Sequence, residues 1–260
     1  MLRADGALGA RRTGGGPAGA AQVHLIGTAA GPLGGDVVEV HVRVDAGAHL
    51  VLRGVAATIA LPHRDGGSST VRLRVDVAEG ARCDLALEPV VVARGADLHA
   101  VTEVAVADGG HLDLTEQVVL GRWGEGPGRW RGTVRADLAG LPWLRQSVAL
   151  GPSAPAWDAL DAPRALLSRL RTPDAEGSPP AAATAGGAAL LPLARGGTLL
   201  EALGADLTDV ARDVAALAGT QKQLGGPSRA RDRAGHLATG DAARPGRSAP
   251  SRKAATAAPP

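Results

Sequence analysis

One phrase recurs along the first 150 residues: a run of alternating side chains, a glycine corner, then another alternating run. The corners read "DAGAHL" at 45–50, "AEGARC" at 78–83, "ARGADL" at 93–98 and "ADGGHL" at 107–112. Their lead glycines are 47, 80, 95 and 109, and "RDGGSS" at 64–69 sits inside the long first gap. Glycine tolerates the positive φ that a tight strand-to-strand corner demands. The runs between corners alternate strictly. Val38, Val40, Val42 and Val44 fall on one face, with Glu39, His41, Arg43 and Asp45 on the other. "VRLRVDV" repeats the scheme with Val71, Leu73, Val75 and Val77 against Arg72, Arg74 and Asp76. A period of two with one apolar face specifies half-buried strands. Corners at this spacing suit stacked rungs, a solenoid or a sandwich, and equally an ordinary meander with glycine hairpins.

Composition narrows the interior. Apolar residues make up 45% of the 260, but aromatics only 2%: four Trp, with no Phe and no Tyr. Such a core is built from Val, Leu, Ala and Ile, which favours thin layered strands over a ring-walled pocket. The expected fold is mainly β, with stacked antiparallel strands (β-helix or solenoid-like, or a sandwich) and about two helices toward the C-terminus. "WDALDAPRALLSRLR" (157–171) reads as a short helix. "TLLEALGADLTDVARDVAAL" (198–217) spaces its leucines and valines at helical intervals, with a break or kink near Gly204.

Residues 1–21 are rich in Gly, Ala and Arg and are expected to be disordered. Residues 22–219 form a single β-rich domain in which 172–187 is a linker or mobile loop. Residues 220–260 read as a disordered basic tail. That tail has eight Lys+Arg against two Asp+Glu, out of 28 and 26 in the chain, so the folded part is mildly acidic. The basic balance therefore says little about nucleic acid, and no aromatics interleave with basic residues as an RNA-binding sheet requires. Cys83 is the single cysteine, which leaves neither an internal disulfide framework nor a cysteine metal cluster and fits a reducing cytoplasm. No run approaches the roughly 20 apolar residues of a membrane span. The expectation is a cytoplasmic protein with no membrane or nucleic-acid partner.

The motifs of phosphate loops, dinucleotide sites, serine hydrolases and zinc proteases are all missing, and no His or Cys pair has zinc spacing. The seven histidines are scattered, mostly on the polar register. What remains is carboxylates. In "HLDLTEQVVL" the apolar row Leu112, Leu114, Val118 and Leu120 is interrupted by Glu116. A carboxylate there is costly unless paired, hydrated or needed. A β-bulge could turn Glu116 outward, an ion pair with an arginine such as Arg122 could hold it, or it could face an internal aqueous path. Asp36, closing "GPLGGD", and Glu125, in "GEGPGR", complete the candidates. A glycosidase-like enzyme would need two carboxyls converging in an open cleft. A generic β-rich interaction scaffold would need none.

The ordered series "LIGTAAGPLGGD" (25–36), "GAHLVLRGVAATIALPHRDGG" (47–67), "VAEGARCDLALEPVVVARGADL" (77–98), "TEVAVADGGHLDLTEQVVLGRWGEGPGRWRGTVRADLAG" (102–140) and "LLPLARGGTLLEALGADLTDVARDVAAL" (190–217) resembles the urease accessory protein family UreD, also called UreH. The likeness runs over roughly 23–217 and is closest to the actinobacterial form. It implies a largely β fold with two helices and a non-enzymatic role in maturing nickel urease. The implied partners are the helical accessory protein UreF, the GTPase UreG and the apo-urease subunits. No cofactor is bound tightly, and nickel is at most a transient passenger. Glu116 matches the family's acidic position before "LGR", Glu125 the acidic position of the following G-E, and Asp36 the "GGD". The resemblance makes these three candidate ion-passage or interface residues, with no catalytic residue and no firm metal ligand. The chain departs from the family in a shortened N-terminus and in lost aromatics.

Overall fold

In this computed structural model the residues described are 6–14, 17, 19–173 and 181–224, with side chains to 219. Sixteen strands and one α-helix are found among them. In chain order the strands are β1 (Leu8–Thr13), β2 (Ala20–Gly27), β3 (Val37–Val44), β4 (His49–Gly54), β5 (Thr58–Ala60), β6 (Ser69–Val77), β7 (Arg82–Ala86) and β8 (Val90–Val92). There follow β9 (Asp97–Val106), β10 (His111–Leu120), β11 (Arg129–Leu138), β12 (Leu141–Leu150), β13 (Ala165–Arg171), β14 (Ala183–Ala185), β15 (Ala188–Pro192) and β16 (Thr198–Gly204). The helix α1 is Leu207–Leu224.

The chain winds between two facing sheets. The larger runs β1-β2-β4-β7-β10-β13-β16-β15-β14, with β5 and β8 as a short side branch on β10; the smaller runs β12-β11-β9-β6-β3. The middle of each sheet is parallel: β2, β4, β7 and β10 in one, β3, β6, β9 and β11 in the other. His49, Arg82 and His111 lie side by side in register, so successive rungs are about 33 and 29 residues long. The expectation of antiparallel stacking is therefore corrected for the centre of the molecule. It holds only for the outer additions β1, β12 and β13 to β16. A local alternating pattern reports which face a residue takes, not which way its neighbour strand runs.

The recurrent glycine phrase now divides in two. Gly47, Gly80 and Gly109 turn the chain at one side of the stack. There Ala78 N–H donates to Val44 O at 3.0 Å and Ala107 N–H to Val77 O at 2.9 Å, so each corner rests on the last. Gly95 belongs to the opposite side, where Ala93 N–H donates to Ala60 O and Arg129 N–H to Ala96 O. Spacings of 14 and 15 are thus half-rungs, from one side of the stack to the other.

The inward rows fill the space between the sheets with two aliphatic clusters. One gathers Val42, Val75 and Val104 from the smaller sheet against Leu52, Leu85 and Leu114 from the larger. The second joins Leu98, Trp130 and Leu150 to Val118, Leu120 and Leu166. Each fully buried Leu or Val contributes about 1.5–3 kcal/mol. A third cluster lies outside the sandwich, where Val210 and Leu217 of α1 cover Ala165, Ala188 and Ala202.

That third cluster explains where the helix expectations fail. Residues 157–171 contain only a 3-10 turn at Asp158–Leu160 and then a strand, β13. Residues 198–204 are likewise a strand, and the helix begins at Leu207. Both strands are covered on two faces, so leucines occupy both registers and the alternation vanishes. There is one helix among the described residues, not two. Asp206 starts it, its Oδ1 accepting N–H bonds from Thr208 at 2.7 Å and Asp209 at 2.9 Å.

The N-terminal expectation is also corrected. β1 pairs with β2 over six residues, and Ala10 and Leu25 pack against the main core, so strands occupy a region read as disordered. Of the expected loop 172–187, residues 174–180 lie outside the described residues, while Ala183–Ala185 pairs with β15 as a hairpin. The expected tail overlaps α1 as far as Leu224, and 225–260 lie outside the described residues. Among the described residues no helix is long and apolar enough to cross a membrane.

Two glycines separate conformation from space. Gly109 has φ 65 and a Cβ there would meet nothing nearer than 4.0 Å; a Cβ on Gly128 would come within 2.5 Å of Ala93 O. Gly109→Ala is expected to cost about 1 kcal/mol, the ordinary penalty for left-handed backbone. Gly128→Ala is expected to cost more, because backbone must shift. Urea denaturation of the two variants checks the order.

Candidate functional site

Strand register assembles a row that the sequence scatters over 86 positions. Glu116 of β10 is paired with Ser168 of β13, and Ser168 with Glu201 of β16. The flanking rows are apolar: Leu114, Leu170 and Leu199 on one side, Val118, Leu166 and Leu203 on the other. All nine take the register that faces the smaller sheet. A single polar stripe therefore crosses the interior between two greasy ones. Neighbouring strands are spaced about 4.8 Å, which puts the backbones of Glu116 and Glu201 roughly 9.5 Å apart.

The facing sheet answers in kind. Thr102 of β9 donates its hydroxyl to Glu116 Oε1 at 2.7 Å. Gln146 of β12 hydrogen-bonds the Glu201 side chain. Thr102, Val134 and Gln146 stand in register across β9, β11 and β12, opposite the carboxylate row. Between the two lies a cavity of about 20 Å³ lined by Thr102, Glu116, Gln146, Ser168 and Glu201. That is room for about one water molecule. Trp130 forms part of the wall, its ring lying over Gly132, where a Cβ would come within 2.3 Å of it. The buried indole N–H of Trp130 finds no acceptor among the described residues.

The electrostatics follow from this setting. Burial pushes the Glu116 carboxyl above its ordinary value near 4.5, and the Thr102 hydrogen bond only partly offsets it. Burial likewise raises Glu201, with Gln146 pulling the other way. Neither has an arginine partner among the described residues: Arg122, the partner weighed for Glu116, binds Glu125 instead. Glu116 stays in the inward row with no bulge between β10 and β13.

The other two candidates are placed elsewhere. Glu125 Oε1 accepts from the Arg122 guanidinium, and Oε2 accepts the backbone N–H groups of Arg122 at 3.2 Å and Arg94 at 3.4 Å. The Arg122 guanidinium holds its carboxyl down at about 2. Asp36 Oδ2 accepts the Leu33 N–H at 2.9 Å and closes the turn that leads into β3. Neither lines the cavity that Glu116 lines. Both sit instead by an apolar groove of about 450 Å³ bounded by Leu25, Val38, Val55, Ile59 and Val71. Arg122 forms part of its wall, and Asp36 lies beside the wall residue Gly31.

Ser168 and Glu201 escaped the sequence reading because both lie in stretches read as helix. A signal was present: "LLSRL" and "LLEAL" set Ser168 and Glu201 between inward leucines two residues either side, as "LTEQV" sets Glu116 between Leu114 and Val118. Among the described residues no three His, Cys, Asp or Glu side chains cluster to hold a metal. Cys83 is fully buried beneath the first core, and burial, with Asp84 adding to it, pushes its thiol to about 12.

The model of the UreD urease accessory protein family matches residues 2–235. The chain belongs to the UreD family. It is 41% identical over 223 residues to the urease accessory protein UreD of Frankia alni, covering 78% of this chain and 75% of the relative. It is 39% identical over 242 residues to UreD of a Parafrankia species, covering 84% and 81%. Against UreD of Streptomyces coelicolor the figures are 38% over 212 residues, covering 79% and 83%. Membership implies a role in urease maturation for this UreD-family chain.

The raised Glu116 carboxyl has a consequence for stability. The folded state binds this proton more tightly than the unfolded chain does. Stability from this group is therefore greatest in acid, falls as pH rises past about 4.5, and levels off once both states are ionised. Glu116→Gln is expected to remove that fall. Its urea midpoint, relative to wild type, should climb between acidic and mildly alkaline buffer.

Proposed function

We propose that this chain is a non-catalytic chaperone of urease maturation that holds apo-urease together with UreF and, through it, UreG. In this reading Ni(II) crosses the two-sheet body as cargo, along the row Glu116, Ser168 and Glu201. The observation that carries the proposal is that row: two carboxylates, with no ion-pair partner among the described residues, and a hydroxyl inside an otherwise aliphatic sandwich. Oxygen donors suit a passenger ion, since carboxylate and hydroxyl hold Ni(II) more weakly than thiolate or imidazole and release it readily. Thr102 and Gln146 complete the line on the opposite sheet. The one thiol in the chain, Cys83, is held protonated and does not compete for the metal. Asp36 and Glu125 serve the surface instead. Each fixes a loop beside the apolar groove, which suits them to shaping a protein interface.

The test is co-expression of the urease subunits, UreF and UreG with wild-type chain, with Glu116→Ala, with Glu201→Ala, or with no chain. Both variants are expected to lower urease activity and urease-bound nickel together, while pull-down still recovers the complex. Loss of the complex along with activity would make the row structural. Full activity without the chain would refute the chaperone reading itself.

A further inference from the structure

The smaller sheet has two edge strands, and they differ. β12 carries Pro142, lies beside a register shift at Ala136/Asp137 of β11, and is bound at its start by the 193–197 loop. That loop binds it through Arg195 Nε to Pro142 O at 3.1 Å and Trp143 Nε1 to Gly196 O at 2.9 Å. β3, at the other edge, runs eight residues with no proline and no register shift, and no strand pairs with its outer side among the described residues. Natural sheets seldom leave such an edge open.

The ladder fixes which groups face outward. Thr70 N–H donates to Asp36 O and Ala78 N–H to Val44 O, so the even residues of β3 turn their N–H and C=O toward β6. In a parallel ladder the alternate residues turn away. Val37, Glu39, His41 and Arg43 thus direct their backbone groups along the open edge. The same residues carry the exposed side chains of β3, while Val42 and Val44 are buried.

Their order is self-complementary. Glu39 and Arg43 lie two residues either side of His41. We infer that β3 is a self-association edge, pairing antiparallel with β3 of a second copy about a two-fold axis at His41. In that register His41 faces His41 of the second copy, and Glu39 faces Arg43 twice. Those three pairs are the hydrogen-bonded kind, joined through outward backbone groups. The charge order continues inward. Glu39 is already 3.0 Å from Arg72, and Arg43 lies in register with Asp76, so a line from one β6 to the other reads Arg72, Glu39, Arg43, Asp76. At the centre each His41 is hydrogen-bonded at 2.6 Å to its own Asp76. On the core face the half-buried Val38 and Val40 gain aliphatic neighbours, opposite Val44 and Val42. The two five-stranded sheets become one. A single strand pair buries less than a standard interface, so the dissociation constant is expected in the range of about 1–100 µM.

The experiment is sedimentation velocity on the full chain over a concentration series spanning that range. Wild type is expected to pass from monomer to dimer. Glu39→Arg and Arg43→Glu each set like charges opposite one another and are expected to weaken the dimer at least about tenfold. An equimolar mixture of the two variants restores opposite charges at both positions and should dimerise again. Hydrogen exchange on wild type gives a readout that needs no variant: the amides of Glu39, His41 and Arg43 should slow as concentration rises. A wild type that stays monomeric throughout overturns the inference. So does a pair of single variants that dimerise as wild type does, or a mixture that remains monomeric.

Discussion

Register is the constraint on which the rest of the molecule depends. With a side-chain period of two, a slip of one residue in any strand would turn its valines and leucines to solvent and bring its charges in. The corners prevent the slip: each is hydrogen-bonded to the corner beneath it through Val44, Val77 and Val106. The outer faces add a second check. His49 Nε2 lies 2.8 Å from Asp84 Oδ2 on the neighbouring strand, and Arg169 Nε donates to Asp113 Oδ1 at 2.7 Å. These partly exposed pairs between strands are worth little singly, but each fits only one register.

The polar row is where the molecule departs from its own rule. An aliphatic residue at position 116 or 201 would extend the two clusters into one. Instead the larger sheet spends two glutamates there, both pushed toward their neutral forms by burial. The smaller sheet supplies a threonine and a glutamine in register to meet them. A matched pair of polar lines across an interior without aromatic rings beside it, save Trp130, cannot be ascribed to incomplete packing of one strand. It separates the core into two apolar compartments on either side of the cavity.

Much of this was legible in advance, and the limits were physical. Alternation in 37–120 gave the strands and their inward faces, and it singled out Glu116, because one face of each rung meets water. The family resemblance was carried by ordered phrases rather than by any one motif. Strand direction was not legible, since a parallel and an antiparallel neighbour leave the same pattern of buried valines. β13 and β16 were not legible either. With α1 behind them and the smaller sheet in front, Leu166 and Leu167, or Leu199 and Leu200, are all apolar positions, and the text reads as a helix. Ser168 and Glu201 were lost with those strands. β1 was hidden by its glycine and arginines, which sit on a strand bonded along one side only.

Chain order gives the C-terminal helix a meaning in time. Glu116 is synthesised first, Ser168 some fifty residues later, and Glu201 near the end of the described chain. Val210 and Leu217, made later still, cover the backs of Ala165 and Ala202. The interior stripe is thus complete only once the last strand of its row has been made and has joined β13.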